Sequence, residues 1–312
     1  MFMMNQILFS VLVFGIHDGA AEVDSSLRQH WVFHPVHIQG DAITEVAGRM
    51  QASLGHGIDV LSGSHGVCLV LDGSGAVAVG GEYDDHRVHM PQRDITVSAW
   101  VSVHSPQKWG GFVGLIQDNG PTEEGWLLGY RNDKFCFALA GAETDDKDGL
   151  LTYLTAPASF AMDRWYHVAG VYDGQRMSLW VDGVQVAQSY EQSGDIRYPA
   201  SGSMAIGAYL DDNELNPHVG SLQHIRIYDR AVSGLDMQDL LNAYPSMRNQ
   251  TVPQAPLRIL VGPYLQATAS DAVTIMWETT RPTAGIIEYG PTAELGSQVV
   301  IKQLSLMHEV VV

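Results

Sequence analysis

Two short acidic stretches are the first candidates for chemistry. Asp118-Asn119-Gly120 and Asp211-Asp212-Asn213-Glu214 each offer carboxylate and carboxamide oxygens within a few residues. Oxygen donors of that kind suit a hard cation such as calcium. Loop acids that hold turns are the alternative reading of the same spelling. A third run, Glu143-Thr144-Asp145-Asp146-Lys147-Asp148, is the nearest spelling to the paired carboxylates of a glycoside hydrolase. It is polar and glycine-flanked, and it lacks apolar neighbours that would raise an acid's pKa, so it reads as a solvated loop. His30, His34 and His37 look like metal ligands, but Trp31-Val32-Phe33 and Pro35 favour extended chain. There His37 points opposite to the other two, which argues against a zinc site. Sugar binding needs an exposed aromatic ring beside polar groups. Trp109, between Ser105-Pro106-Gln107-Lys108 and Gly110-Gly111, is placed for a loop tip, with edge packing as the alternative. Trp100, Trp126, Trp165 and Trp180 lie in strand patterns and read as core.

The elements that must position these groups are short. Apolar runs recur at Val67–Leu71, Ala76–Val79, Ile95–Val103, Phe112–Ile116, Trp126–Tyr130, Phe135–Leu139, Trp165–Tyr172, Met177–Val181, Met204–Leu210 and Leu222–Tyr228. Many are β-branched or aromatic, and Gly, Asp and Asn separate them, which predicts an all-β sandwich or jelly roll. Asp173-Gly174 and Asp182-Gly183 predict two tight hairpins, because their central residues need positive φ. Three successive antiparallel strands follow from those turns. Ser233-Gly234-Leu235-Asp236 predicts a capping box opening one short helix, with Leu235, Leu240, Leu241 and Tyr244 as its packed face. Cys68 and Cys136 both sit in strand patterns and read as buried free thiols, with a single bridge as the alternative. His167, inside a strand, reads as a packed histidine and not as a base.

Several of these runs resemble one family. Ile95-Thr96-Val97-Ser98-Ala99-Trp100-Val101, Trp165-Tyr166-His167-Val168-Ala169-Gly170-Val171-Tyr172-Asp173-Gly174 and Met177-Ser178-Leu179-Trp180-Val181-Asp182-Gly183 look like the central strands of a LamG-like, concanavalin A-like jelly roll. Gly220-Ser221-Leu222-Gln223-His224-Ile225-Arg226-Ile227-Tyr228-Asp229-Arg230-Ala231 resembles its closing strand. Leu71-Asp72-Gly73-Ser74-Gly75 and His30-Trp31-Val32-Phe33 also fit, so the resemblance covers nearly all of 24–244. One departure is that Gln223 and His224 stand where the closing strand usually carries an acidic pair. The resemblance implies a calcium site built from loops on one rim, with Asp118, Asp211 and Asp212 as ligands and Asn119 and Asn213 as helpers. It also implies carbohydrate or a cell-surface molecule as the ligand.

Residues 245–256, rich in Pro and polar residues, are linker-like, and Asn249-Gln250-Thr251 is a glycosylation sequon. Beyond them, Val261-Gly262-Pro263-Tyr264-Leu265-Gln266, Ile275-Met276-Trp277-Glu278-Thr279 and Ile287-Glu288-Tyr289-Gly290 resemble the N-terminal fibronectin-III-like module of purple acid phosphatases. Another fibronectin-III domain is the alternative. Such a sandwich takes about 100 residues, so 257–312 supplies part of one. The resemblance implies a two-metal phosphoesterase domain beyond Val312, since Gly-Asn-His-[Glu/Asp] and Gly-His-x-His do not occur in the sequence. The first expectation is therefore an exported modular protein whose jelly roll binds glycans beside a phosphatase, with no catalytic residue in the chain. The second is a non-catalytic adhesion protein.

Composition narrows the partners. With 17 Lys and Arg against 35 Asp and Glu, the 312 residues carry a formal charge of −18. That charge repels nucleic acid and anionic membrane surfaces. The apolar stretch Ile7–Ile16 is too short to span a bilayer. It reads as a secretory signal cleaved near Ala21, with a buried first strand or a misassigned start as alternatives, because no Lys or Arg precedes Ile7. A secreted, periplasmic or cell-surface location follows.

Overall fold

The computed structural model describes residues 24–63, 66–119, 122–143, 151–245, 247, 251–254, 256–291 and 295–312. The expected signal at 1–21, most of the 143–148 acidic loop and Asn249-Gln250 lie outside them. The strands, in order, begin with β1 (Leu27–Trp31), β2 (Ile38–Gln39), β3 (Ala42–Thr44), β4 (Gln51–Leu54), β5 (Ile58–Gly63), β6 (Gly66–Asp72) and β7 (Val77–Val79). A one-turn helix, α1 (Tyr83–His86), precedes β8 (Asp94–Val103), β9 (Trp109–Asn119), β10 (Thr122–Arg131), β11 (Lys134–Leu139) and β12 (Thr152–Thr155). Then come β13 (Tyr166–Asp173), β14 (Met177–Val181), β15 (Val184–Ser189), β16 (Ala205–Ile206), β17 (Ala208–Leu210), β18 (Leu215–Pro217) and β19 (Val219–Tyr228). Helix α2 (Gly234–Asn242) is followed by β20 (Ile259–Gln266), β21 (Thr274–Tyr289) and β22 (Ser297–Val311).

Two antiparallel sheets make the sandwich. One runs β15-β14-β13-β8-β19-β6-β5, with β1 also paired to β19; the other runs β12-β11-β10-β9-β16-β7-β4-β3-β2. Alternation along each strand sends one set of side chains inward. Trp31, Val97, Val101, Phe112, Leu115, Trp126, Phe137, Val168 and Tyr172 meet there, all essentially inaccessible. Gly170 of β13 leaves the notch for the Phe137 ring of the facing sheet, since a Cβ there would lie 2.3 Å from a ring carbon. This is the all-β jelly-roll architecture that the strand pattern predicts.

The turn chemistry is split. Asp182 (φ 50°) and Gly183 (φ 78°) form the expected two-residue hairpin, with Val181 opposite Val184. The β13–β14 turn is longer, because Tyr172 pairs with Met177 and the Asp173 carboxylate collects the amides of Gln175 and Arg176 at 3.1 and 2.8 Å. In α2 the Ser233–Asp236 capping box is present. Its buried face is Met237 and Leu241, one turn apart, while Leu235 is 81% exposed and is corrected from core to surface.

The stretch read as a linker lies against the sandwich. Met247 and Val252 are buried with Trp100, Trp165 and Leu241. The Pro253 carbonyl accepts the Ser221 hydroxyl at 3.0 Å and lies 3.1 Å from His104 Nε2. Beyond it, β20, β21 and β22 form a separate three-stranded antiparallel sheet. Arg258 at its entry pairs with Asp59 of β5 at 2.8 Å. Cys68 and Cys136 are free and buried in different sheets. Burial pushes their thiols up to about 11 and about 12. No helix among the described residues is long and apolar enough to cross a membrane.

Candidate functional site

The outer face of the nine-stranded sheet brings the two acidic stretches together. Asp118 and Asn119 end β9, and Asp211 to Glu214 form the turn between β17 and β18. That hairpin lies directly on β9 because Gly111 has no side chain; a Cβ there would sit 2.1 Å from the Ala208 carbonyl oxygen. The turn closes on itself, with Asp211 Oδ1 accepting the amides of Asn213 at 3.0 Å and Glu214 at 2.6 Å. Asn119 then pins its tip, donating through Nδ2 to Asp212 and accepting at Oδ1 from Asn213 Nδ2. All five residues named from sequence thus converge on one rim, and the hydrogen bonds that tie them also hold turns.

Tyr153 and Tyr209 complete the rim without having been read from sequence. Tyr153 donates to Asp118 Oδ2 at 2.6 Å. The Tyr209 hydroxyl stands 3.2 Å from Asp118 Oδ2 and 3.4 Å from Asp211 Oδ2. Burial first pushes both phenols above their ordinary range, followed by Tyr209 and then Asp118 for Tyr153 and by the Asp118 carboxylate for Tyr209, which keeps them protonated as donors. Tyr209 sits in the apolar run Met204–Leu210, where nothing distinguished it from core. Tyr153 lies on β12, an edge strand of four residues with too little pattern to detect.

Trp109 opens β9 and does not occupy a loop tip. It is half-buried, with its ring centroid 5.0 Å from Tyr153 and 6.3 Å from Tyr209. The Arg131 guanidinium stands 4.6 Å over the ring, so the tryptophan supports the tyrosines. Beside the rim opens a cleft of about 310 Å³ lined by Glu82, Ile116, Gln117, Ser201, Gly202, Ser203, Leu210, Asp211 and Asp212. Its hydroxyl, carboxamide and carboxylate groups are suited to accept and donate hydrogen bonds to a polyol.

Calcium fits this rim by donor type, since three carboxylates and two carboxamides are all oxygen donors. No ion pair among the described residues neutralises Asp118, Asp211 or Asp212. Among the described residues, no three His, Cys, Asp or Glu side chains converge closely enough to hold a metal as they stand. The histidine trio does not assemble: His30 is on β1, His34 is exposed and accepts the Val36 amide at 3.3 Å, and His37 ends a 3-10 turn. His167 is buried against Trp100, 5.4 Å between ring centroids. Gln223 and His224 form a bulge in β19.

The profile of the concanavalin A-like lectin/glucanases superfamily (Laminin_G_3) matches residues 72–237. Among curated proteins, pappalysin-1 of Mus musculus is 25% identical over 178 residues, 51% of this chain and 11% of that protein. Pappalysin-1 of Homo sapiens is 25% identical over 153 residues, 45% of this chain and 9% of that protein. The chain thus spans about a tenth of the length of the curated relatives it matches. Among solved structures, Trypanosoma rangeli sialidase superposes with a TM-score of 0.52 at 16% identity, over 72% of this chain and 34% of the sialidase. The binding domain of Paraclostridial Mosquitocidal Protein 1 superposes with a TM-score of 0.52 at 12% identity, over 91% of this chain and 70% of that one. At those identities both likenesses speak to the fold.

Proposed function

The chain belongs to the concanavalin A-like lectin/glucanases superfamily, and from that premise we propose that it is a glycan-binding module whose ligand lies in the cleft beside the Asp211–Glu214 turn. The carrying observation is the convergence of two separate acidic stretches, through Asn119, onto the wall of a cleft that mixes polar groups with apolar surface. Glu82, Gln117, Ser201 and Ser203 would meet sugar hydroxyls, while Ile116 and Leu210 offer apolar surface to a ring face. Calcium, held by Asp118, Asp211 and Asp212 with Asn119 and Asn213, would relieve the repulsion among the three carboxylates and fix the turn. Trp109, behind the tyrosines, would act as their support. A glycan array probed with the whole chain, with calcium and with a chelator, tests this reading. It predicts calcium-dependent retention of a subset of glycans, and no retention under either condition would refute it.

The finer reading places this module beside a purple acid phosphatase-like protein and exports it by residues 1–21. It rests on the motifs that now lie on β20 and β21 and on the apolar N-terminal run. On that reading the phosphoester chemistry belongs to another segment, so the chain by itself hydrolyses no chromogenic phosphate ester. Turnover by the purified chain would contradict it.

A further inference from the structure

Strand β19 changes partner midway. Val219 to Leu222 pair with β6, while Ile225 to Tyr228 pair with β1 on the same edge. Gln223 and His224 fill the switch as a bulge, and His224 takes a φ of 52°. Next to it, Arg226 lies directly across from His30 of β1. The His30 and His224 rings are 6.2 Å apart. Tyr244 closes the top, stacked on His224 at 3.6 Å and accepting from Arg226 Nη2 at 2.8 Å.

Three nitrogens of this group have no hydrogen-bond partner although each is inaccessible: Arg226 Nη1, His30 Nε2 and His224 Nδ1. Arg226 itself is only 8% exposed, and among the described residues no carboxylate pairs with it. A guanidinium removed from water without a counter-ion is costly, and a chain of charge −18 has carboxylates to spare for it. Among the described residues, none supplies the missing partner. The unpartnered Arg226 Nη1 and the two ring nitrogens offer donors to the several acceptor oxygens of a tetrahedral anion.

We propose that the partner switch on β19 binds a tetrahedral oxyanion, sulfate or phosphate, between Arg226, His30 and His224. Among the described residues, the other charged or titratable groups facing it are His37 on the turn after β1, Tyr244 above, and Glu45, whose carboxylate is 3.5 Å from the His30 amide. Glu45 is itself occupied, capping the amides of Ala47 and Arg49 at 2.8 and 2.7 Å. Burial first, and then the Arg226 charge, hold both histidines down to about 3, so without the anion they are neutral. An arriving anion neutralises the arginine and favours the protonated rings, so binding takes up protons.

The test titrates the whole chain with sulfate at constant ionic strength, reading the melting temperature and the His30 and His224 ring resonances. Sulfate keeps its charge between about pH 7.5 and about pH 5.5, so any pH dependence there belongs to the protein. A saturable rise in melting temperature, shifts of both histidines, and affinity about tenfold higher at the lower pH are expected. Arg226→Gln should lose saturation, and His30→Gln with His224→Gln should lose the pH dependence. A parallel titration with a monosaccharide sulfate ester separates a free ion from a sulfated glycan as the source. The proposal fails if neither anion saturates, or if Arg226→Gln binds as the wild type does. Should that variant not fold, an undiminished pH dependence in the double histidine variant overturns it.

Discussion

Tyr153 donates its hydroxyl to Asp118 Oδ2 at 2.6 Å, joining the edge strand β12 to the end of β9. The bond links two parts of the rim that are 35 residues apart in the chain. It also orients the carboxylate that faces the β17–β18 turn through Tyr209. A buried phenol held against a carboxylate is stabilising only while both partners are present, which makes the pair a sensitive probe of the site.

Tyr153→Phe removes one donor and leaves Asp118 with Tyr209 alone. A loss of about 1–2 kcal/mol is expected. Urea unfolding should show a lower midpoint with an unchanged m value. An equal midpoint would mean that water replaces the hydroxyl without cost.

Calcium should raise the melting temperature of the chain by about 4 °C or more at saturation. Asp118→Ala combined with Asp211→Ala should abolish that rise while also lowering the calcium-free value, because Asp211 caps two amides of its own turn. An undiminished calcium shift in the double variant would remove these residues from the site.

Asp236 supplies the α2 capping box and pairs with Arg230 at 2.9 Å. The hydrogen bond from Arg230, followed by the Ser233 amide, holds its carboxyl down to about 2. Its folded value thus lies below its unfolded one, so the stability it contributes is present above about pH 4 and is lost as pH falls toward 2. Asp236→Ala should cost about 1 kcal/mol at neutral pH, at the modest end for a half-exposed cap, and nothing at the acid end. Chemical denaturation of both proteins across that range checks the sign.

The central strands were legible because they are long, apolar and punctuated by Gly and Asp; β8, β13, β14 and β19 lie where their runs predict. The shortest strands were harder to read. Strands β2, β3, β4 and β12 have two to four residues each, too few for alternation to rise above background. The five rim residues were legible as chemistry, yet their contacts depend on Gly111 and on two tyrosines whose role exists only after folding. Leu235 shows the limit of a periodic pattern on a two-turn helix, since Met237 took the buried position instead. The cationic group at Arg226 was invisible in the sequence, because it arises from a cross-strand pairing with His30, far away in the chain.

The claim that the cleft beside Asp211 and Asp212 receives a sugar is tested most directly by plugging it. Ser201 is exposed on the cleft wall, so Ser201→Trp adds bulk there without entering the core. Titration calorimetry with the strongest glycan from the array should show affinity reduced at least about tenfold, with the melting temperature unchanged. Equal affinity in the wild type and the plugged variant would place the ligand elsewhere on the molecule and contradict the account.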